Sequence, residues 1–538
     1  MEKWWKKAVF YEVYMPSFAD GNKDGIGDFK GLTEKLDYFT HLGIDGLWLT
    51  PFYTSPKVDN GYDISDYYAI DPDYGTMADF EFFIEQAHKR GIKVIADLVL
   101  NHTSSEHEWF KESISDPHHP KRDWYIWRDP VEGNPPNNWE SFFGGSAWEF
   151  NEESEQYYYH AFAKEQVDIN WANKEAKHAM FEVMAFWLNK GIDGFRLDVI
   201  NFLKVNDTFK NNPVDENNQQ THLYDKDQAG ILEVIEEISS FVHQFPDKVL
   251  VGEVGSEEID VLSTYSGKNK LDIVFNFNLG SIPTFHVDTI FKQLRKMEDV
   301  HHEDQLPTLF FSSHDMPRHI SRFGDEGIEE ERAKLLATLM LTAKGVPFLY
   351  FGDEIGMRDL VHHDISLMKD IQGVTAYDLA IAAGKSKEEA LVMANEKSRD
   401  KSRSPMQWDN SEYSGFSTVK PWIAFPEIRE GINVKEQLNQ IDSVLSYYKK
   451  LLELRRMHPA LHHGEYELLE KNGDMIYFIK SAEGERMMVL INFGEIEVPF
   501  PSEAHSVTDI LLANKRKNVD GTIQPGEAFI LCLEGDKA

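Results

Sequence analysis

Four segments of the sequence place acidic side chains at or near the end of an apolar run. Asp97 lies within KVIADLVLNH, Asp198 follows GFRL, Glu253 follows KVLVG, and Asp315 follows FFSSH. Two such groups can cleave a glycosidic bond, because one carboxylate attacks the sugar while the other, as a carboxylic acid, protonates the leaving oxygen. A single acid of this kind is usually a helix cap or an ion-pair partner. Four of them at strand ends favour one shared site.

The neighbours of two of these acids suit opposite roles in such a reaction. Arg196 precedes Asp198 by two positions, which places both side chains on the same face of a strand. A guanidinium group beside Asp198 favours the ionised form that a nucleophile needs. Glu253 follows an apolar run, and desolvation there raises the pKa of a carboxyl group, as an acid catalyst requires.

The segments that carry these acids belong to an alternating pattern of short β-rich runs and longer amphipathic stretches over the first 460 residues. This alternation predicts βαβ units around a parallel sheet. Eight strands with intervening helices predict an α/β protein with a (β/α)₈ TIM barrel, in which the active site lies at the C-terminal ends of the strands. The strand candidates are residues 9–14, 44–49, 93–98, 192–197, 248–253, 272–277, 308–313 and 346–351.

Three segments interrupt or follow the barrel pattern. Residues 103–171, after the third strand, are too long for a plain loop and are predicted to form a small inserted domain B. Residues 354–420, after the eighth strand, contain a helical stretch and are predicted to form a lid. Residues 462–538 show short strands with turns and predict a C-terminal antiparallel β-sandwich. The barrel, domain A, then comprises residues 1–102 and 172–461.

The bulk composition excludes several classes of partner. A net charge of −36 disfavours nucleic acids and anionic membrane surfaces but is compatible with a neutral substrate. The aromatic content of 13% suits the binding of flat-faced sugars. Cys532 is the only cysteine, and no apolar run is long enough for a signal peptide or a membrane helix. We expect a cytoplasmic protein that is a monomer or a weak homo-oligomer and needs no organic cofactor.

The four acidic segments resemble the sequence motifs of the α-amylase family of glycoside hydrolases, and they appear in that family's order. They are DLVLNH (97–102), GFRLDVINF (194–202), VGEV (251–254) and SSHD (312–315). Within the family, the chain resembles the branch of oligo-1,6-glucosidases and α-glucosidases. The segments that carry this second resemblance are NGYDISDY (60–67), FFGGSAW (142–148), QVDINW (166–171) and RSPMQW (403–408).

The resemblance implies a role for each of the three catalytic acids. Asp198 resembles the nucleophile, Glu253 the acid/base, and Asp315 the residue that stabilises the transition state. Asp63 is expected to form an ion pair with Arg399 that closes the pocket behind the non-reducing sugar and makes the enzyme exo-acting. The family segment RDN-x-R reads RDKSR here, so that Arg403 is the alternative partner.

The resemblance also places further side chains around the first sugar and along the pocket wall. Packing within domain B is the alternative role for Phe143, and a position on the lid surface is the alternative for Arg399. The expected sugar-binding residues are Tyr62, Asp63, His102, Arg196, His314 and Arg399, and the expected wall residues are Phe143, Phe162 and Gln166.

The segment DGNKDGIGD (20–28) alternates oxygen-bearing side chains with glycines. Hard cations prefer such oxygen ligands, although a metal-free turn is the alternative. In the branch that the chain resembles, this segment binds a structural calcium or magnesium ion. The ligands implied here are Asp20, Asn22, Asp24, Ile26 and Asp28.

Val199, directly after the nucleophile, carries the expectation about linkage. In the branch, valine at this position accompanies α-1,6 activity, whereas alanine or threonine accompanies α-1,4 preference. We therefore expect an exo-acting, retaining α-glucosidase that prefers isomalto-oligosaccharides. An α-1,4-preferring or mixed enzyme that acts on maltose, malto-oligosaccharides and sucrose is the alternative, and packing of the barrel rim is the alternative role for Val199.

Two other members of the wider family are less compatible with the sequence. Trehalose-6-phosphate hydrolysis needs a cationic phosphate site, and no basic cluster lies near the motifs. The heavy subunits of amino-acid transporters use the fold as a binding ectodomain, carry a membrane helix and tend to lose the acids. This chain has all three acids and no such helix, so we expect an enzyme.

Overall fold

Eight short parallel strands form the centre of the structure, a computed structural model that describes residues 3–217, 219–256, 258–302, 305–324, 327–427, 430–516, 518–519 and 521–534. Each strand pairs with its sequence neighbour, the first pairs with the eighth, and a bridge between Val274 and Pro307 links the two remaining edges. The predicted (β/α)₈ barrel is therefore confirmed, with all eight strands in the predicted segments. They are β1 Phe10–Val13, β2 Gly46–Leu49, β3 Lys93–Val99, β4 Gly194–Asp198, β5 Val249–Gly252, β6 Ile273–Val274, β7 Thr308–Leu309 and β8 Val346–Tyr350.

The strands are buried on both faces, which is why they read as continuous apolar runs in the sequence. Large side chains fill the interior of the barrel, among them Phe10, Trp48, Val251, Phe275 and Phe348. The alternate side chains of the strands pack outward against the surrounding helices. This filled interior is a rigid support for the polar residues at the C-terminal strand ends.

Some of the helices around the barrel begin at residues whose side chains cap them. Thr76 and Asp79 form a reciprocal capping box, and the Asn173 side chain accepts the amide hydrogens of Glu175 and Ala176. In the part of the chain described, no helix is both long and apolar enough to cross a membrane. The barrel helices are Met15–Phe18, Phe29–Glu34, Leu36–Leu42, Met77–Lys89, Lys174–Asn189, Ile231–Val242, Ile259–Thr264, Phe277–Gly280, Val287–Val300, His319–Phe323, Glu329–Thr342, Val434–Gln437, Val444–Met457 and Pro459–His463.

Domain B, between β3 and the helix Lys174–Asn189, is held together by two small antiparallel sheets and many aromatic side chains. One sheet pairs His102–Ser104 with Gln166–Asp168 at the barrel rim, so that His102 and Gln166 lie near the strand ends. The other sheet has three strands. Its strands are Trp127–Arg128, Gln156–Tyr159 and Trp148–Asn151, and the domain also contains the helix Glu108–Ser115.

The lid segment, residues 354–420, contains two helices in place of the single helical stretch in the sequence prediction. Ile371–Ala382 and Lys387–Lys397 pack against each other. The first helix ends before Gly384, which has a positive φ of 82°, and Ser386 caps the second helix together with Glu389. The chain therefore leaves the barrel and returns to it within one hairpin.

The C-terminal region forms two antiparallel layers. A five-stranded sheet has the order Glu465–Asn472, Met475–Ala482, Glu485–Asn492, Ala528–Leu533 and Val507–Ala513. One face belongs to the large core that includes the barrel helices, and the other is covered by a two-stranded ribbon of Val498–Pro499 and Thr522–Ile523. The region lies against the barrel, and none of its described residues lines the pocket introduced below.

Candidate active site

Arg196, at the centre of the barrel mouth, binds three carboxylates from three strands. The register of the sheet places Arg196 opposite Asp97 on β3. Its Nη1 donates to Asp97 Oδ1 at 2.9 Å and to Asp198 Oδ1 at 2.7 Å, and its Nη2 donates to Glu253. The guanidinium group is buried, so these bonds are formed in a low-dielectric environment. Three of the four acidic segments in the sequence thus converge on one side chain.

Asp198 and Glu253 are in direct hydrogen-bond contact. Burial raises the pKa of Asp198 to about 6, while Arg196 acts to lower it. Burial also raises the pKa of Glu253 to about 8, and the negative charge of Asp198 adds to this effect. The pKa of Glu253 is raised further than that of Asp198, so Glu253 is the acid of the pair that holds a proton more readily. The raised pKa of Glu253 agrees with the expectation from the apolar strand that precedes it.

Asp315 lies on the opposite side of the mouth and is held by cations. Burial alone would raise the pKa of this carboxyl group, but His314, Arg399 and Arg403 hold it well below its usual value. His314 Nε2 lies 3.0 Å from Asp315 Oδ2, and Arg403 Nη2 donates to Asp315 Oδ1 at 3.0 Å. The carboxylate therefore stays ionised at every pH near neutrality.

The three acids line a cavity of about 190 Å³ at the barrel mouth. Domain B contributes Phe143, Phe162 and Gln166, as the sequence predicted, and the aromatic rings of Phe143 and Phe162 lie 5.5 Å apart. The lid helices contribute Gln372 and Lys397, which the sequence analysis did not single out. The lining residues, here called the pocket, are Asp59, Tyr62, His102, Phe143, Phe162, Gln166, Asp198, Val199, Glu253, Asp315, Gln372, Lys397 and Arg399.

The expected pairing of Asp63 with Arg399 is wrong. Asp63 is completely buried below the pocket, and its carboxylate accepts the backbone amides of Val58 and Asp59 at 2.9 and 3.0 Å. These bonds shape the loop after β2, which presents the neighbouring Asp59 to the pocket. Asp59 is therefore the partner of Arg399. The motif misled because both aspartates lie in one short loop, where only the backbone decides which one faces the cavity.

Arg399 and Arg403 divide between them the two roles that the sequence left open. Arg399 lines the pocket, binds Asp59, and donates through Nε to Asp370 Oδ1 at 3.0 Å. Arg403 is fully buried and supports Asp315 from behind. Asp370 also accepts the backbone amide of Arg399 at 2.7 Å. Asp370 was not among the residues predicted from the sequence, because it directly precedes a helix and therefore resembles an ordinary helix cap.

Of three further residues expected around the first sugar, Tyr62 and His102 line the pocket, whereas His314 stacks on Tyr62 and is not among the lining residues. The hydroxyl of Tyr62 donates to Asp97 Oδ2 at 2.9 Å, and its ring stacks on His314 at 5.4 Å. His102 Nε2 lies 3.0 Å from the carbonyl oxygen of Tyr62. Burial lowers the pKa of His102 to about 4, so the imidazole is neutral.

Val199 adopts a left-handed backbone conformation, with φ 37° and ψ 48°. A β-branched residue rarely occupies this region, and doing so costs about 1–3 kcal/mol. The turn allows the amide of Ile200 to donate to the carbonyl oxygen of Glu253 at 2.9 Å. Backbone strain directly after Asp198 thus fixes the relative position of β4 and β5, which carry the two contacting acids.

The DGNKDGIGD loop is closed mainly by its own hydrogen bonds. Asp28 accepts the amides of Gly21, Asn22 and Gly31, and Asp20 accepts the amide of Gly25 at 2.9 Å. Among the residues with described positions, no three His, Cys, Asp or Glu side chains are grouped so as to hold a metal ion. The atoms of this loop that could bind a cation are all oxygens, the ligand type that Ca²⁺ and Mg²⁺ prefer. A structural cation held by Asp20, Asn22, Asp24, Ile26 and Asp28 stays a prediction.

We expect chelation with EDTA to lower the Tm by about 2 °C or more, because a bound cation stabilises only the folded state. The measurement is differential scanning calorimetry with EDTA and after readdition of Ca²⁺ or Mg²⁺. Asp24→Asn, which removes an exposed carboxylate of the loop, should abolish the difference. An unchanged Tm in the wild-type protein would rule out the cation.

Comparisons with known proteins extend over nearly the whole chain. Residues 12–464 match the family model "Alpha amylase, catalytic domain". The chain is 40% identical to a trehalose-6-phosphate hydrolase of Bacillus subtilis (strain 168) over 98% of both chains. It is 38% identical to an oligo-1,6-glucosidase of Bacillus cereus over 99% of this chain and 100% of that protein.

The fold also matches solved structures. The crystal structure of a Bacillus licheniformis trehalose-6-phosphate hydrolase superposes with a TM-score of 0.90 at 39% sequence identity, over 99% of this chain and 100% of that one. The similarity therefore includes the barrel, domain B, the lid segment and the C-terminal sheet together.

Proposed function

This chain belongs to the α-amylase family of glycoside hydrolases, and we propose on that basis that it is an exo-acting, retaining α-glucosidase. Its substrates are short α-glucosides, from which it releases glucose at the non-reducing end. The observation that carries the retaining mechanism is the close contact of Asp198 and Glu253, which bind the two terminal nitrogens of one guanidinium group, that of Arg196. An inverting enzyme needs about 6.5–9.5 Å between its carboxyl groups to admit a water molecule, and the contact leaves no such gap.

The reaction follows from the protonation states of the two acids. The Asp198 carboxylate attacks the anomeric carbon while protonated Glu253 donates its proton to the glycosidic oxygen, which leaves as an alcohol. Glu253, now ionised, then removes a proton from water, which attacks the glucosyl ester at Asp198 and releases α-glucose. Asp315, kept ionised by its cationic neighbours, faces the ring as positive charge develops on it.

The exo mode of action rests on the ion pair between Asp59 and Arg399. Both residues of this pair line the pocket, and Arg399 also lies 3.5 Å from Asp315, so the pair closes a small cavity beside the acids. At about 190 Å³ the cavity is smaller than the ~300–1,000 Å³ of drug-sized sites, so it suits a single sugar ring. A polysaccharide chain would need an opening where the ion pair lies.

The α-1,6 preference rests on Val199, whose branched side chain lines the pocket beside the nucleophile. An α-1,4-preferring or mixed α-glucosidase is the second candidate. A phosphorylated disaccharide is less favoured, since the cations of the pocket are Arg399, which is already paired with two aspartates, and the exposed Lys397. The names of the similar proteins are compatible with each of these substrates.

We expect hydrolysis with net retention, because each of two displacements inverts the anomeric carbon. Proton NMR of the earliest product of p-nitrophenyl α-glucoside should show α-glucose before mutarotation. A control solution of pure α-glucose gives the mutarotation rate. Initial β-glucose would contradict the two-step mechanism while leaving the assignment to the family intact.

We expect kcat/KM for isomaltose to exceed that for maltose by about fivefold or more, since a difference near 1 kcal/mol is typical of one side-chain contact. The panel also contains sucrose, trehalose and trehalose 6-phosphate. Val199→Ala is the matched variant and should shift the ratio toward maltose. A wild-type preference for maltose would reject the α-1,6 assignment, and a preference for trehalose 6-phosphate would reject both candidates.

A further inference from the structure

Glu12 is a buried carboxylate inside the barrel that the proposed reaction does not use. It lies on β1 and is 2% exposed. Its Oε1 lies 2.6 Å from His314 Nδ1 and also accepts the backbone amide of His314 at 3.2 Å. Glu12 thus approaches the imidazole from below, on the side away from the pocket.

The opposite nitrogen of His314 must carry a hydrogen. Nε2 lies 2.6 Å from the hydroxyl of Tyr62 and 3.0 Å from Asp315 Oδ2. The Tyr62 hydroxyl donates its own hydrogen to Asp97, so its oxygen can only accept from His314. Asp315 is an ionised acceptor as well. Nε2 is therefore a donor, directed toward two oxygen atoms at the pocket floor.

The hydrogen on Nδ1 then depends on Glu12. A neutral imidazole has one N–H, and Nε2 already holds it, so a hydrogen bond to the Glu12 carboxylate requires a second. Burial raises the pKa of Glu12, whereas the imidazole and the backbone amide of His314 both act to lower it, so the ionised carboxylate is favoured only together with a charged ring. The geometry accordingly places an imidazolium between two carboxylates, those of Glu12 and Asp315.

The remaining groups around His314 leave this arrangement intact. Arg403 donates through Nε to the carbonyl oxygen of His314, and the Tyr14 ring stacks on the imidazole at 6.0 Å. Trp48 packs edge-on at 5.7 Å, and behind it and Tyr62 lies the Arg196–Asp97 pair, whose charges oppose each other. Burial alone would lower the pKa of His314, but Asp315 and Glu12 raise it to about 9.

We propose that Glu12 is a positioning residue that holds His314 as an imidazolium, which in turn orients the Asp315 carboxylate toward the sugar. The effect on catalysis rests on the proposed function, whereas the charge state of His314 does not. With the charge present, Nε2 keeps its hydrogen directed at Tyr62 and Asp315. Without Glu12, the neutral ring can place its single hydrogen on either nitrogen, and Asp315 loses a charged donor.

The decisive experiment is an NMR titration of histidine-labelled enzyme between pH 5 and 10, with the His314 signal identified by its absence in His314→Asn. We expect a titration midpoint above about 8 in the wild-type protein. Glu12→Gln should lower that midpoint by about two pH units, and Glu12→Asp should retain most of the elevation. A wild-type midpoint below about 7, or an unchanged midpoint in Glu12→Gln, would overturn the proposal.

The kinetic counterpart is kcat/KM for p-nitrophenyl α-glucoside at pH 6 and pH 8. Glu12→Gln should be within about threefold of wild type at pH 6, where the variant's imidazole is still protonated, and about tenfold lower at pH 8. A loss that is equal at both pH values indicates a structural role only and contradicts the proposal.

Glu354→Gln is the matched control. Glu354 is another buried carboxylate of the barrel, but its partners are the hydroxyl groups of Tyr11 and Tyr38. Its replacement should leave the His314 midpoint and the ratio of activities at the two pH values unchanged. If Glu12→Gln does not fold, the wild-type midpoint and that of Glu12→Asp still decide. If no glucoside is hydrolysed, the proposed function is wrong. The NMR titration still tests whether Glu12 keeps His314 charged.

Discussion

Asp198→Asn and Glu253→Gln are each expected to lower kcat by about a thousandfold or more without loss of the fold. Asparagine at position 198 cannot form the glucosyl ester, and glutamine at position 253 cannot protonate the leaving oxygen. Both substitutions are nearly isosteric, and Arg196 keeps its contact with Asp97 in either variant. The measurement combines steady-state hydrolysis of isomaltose with thermal unfolding.

The leaving group distinguishes the two variants. p-Nitrophenolate departs without protonation, so the first step of Glu253→Gln should recover much of its rate on the aryl glucoside, whereas Asp198→Asn should stay inactive on both substrates. Asp272→Asn is the matched control, because Asp272 is an equally buried aspartate at the start of β6 that binds His243 and the amide of Leu250. Turnover of isomaltose within tenfold of wild type in either active-site variant would contradict the assignment.

Arg399→Ala is expected to lower kcat/KM by about a hundredfold or more and to lower the Tm. Arg399 binds Asp59 and Asp370, and it lies 3.5 Å from Asp315, so its removal leaves carboxylates together without their cation. Breaking a buried pair by removing one partner typically costs about 3–5 kcal/mol. Arg399→Lys should recover part of the Tm but little activity, since an ammonium group cannot span two carboxylates as a planar guanidinium does.

Asp59→Asn tests the effect of the Asp59–Arg399 ion pair on substrate binding separately from its effect on the stability of the fold. It keeps Arg399 paired with Asp370, so it should raise KM with a smaller change in Tm than Arg399→Ala. Lys387→Ala, an exposed substitution at the start of the second lid helix, is the control and should change neither property. Wild-type KM in Asp59→Asn would show that the pair does not contact the sugar.

The barrel could be predicted from the sequence because its strands are short, buried on both faces and bounded by polar residues. Asp198 and Glu253 were recognisable because four apolar strands of one chain end near acids, whereas a single such acid is usually a helix cap or an ion-pair partner. The lid was predicted as one helical stretch, but Gly384 and the Ser386 cap divide it into two helices. A helix break of this kind can be predicted only if the glycine and the capping serine are given more weight than the helix propensity of the surrounding residues.

The side chains that close the pocket were harder to identify, because their roles depend on loop backbones. Asp59 and Asp63 are four residues apart, and hydrogen bonds from the amides of Val58 and Asp59 decide which one is buried. Asp370 reads as a helix cap and becomes a partner of Arg399 only through tertiary contact. The left-handed turn at Val199 has no sequence signal, since valine is among the residues least suited to it.

The hairpin between Asp370 and Arg399 is closed at its base by the ion pair between those two residues. Everything beyond the base, from Ile371 to Lys397, reaches the pocket only through Gln372 and Lys397. The segment is in this sense a module, which can be lengthened, shortened or exchanged while the clamp at its base is retained. Grafting a hairpin of different sequence between these two anchors is therefore a route to replacing the pocket residues Gln372 and Lys397 while the ion pair at the base is kept.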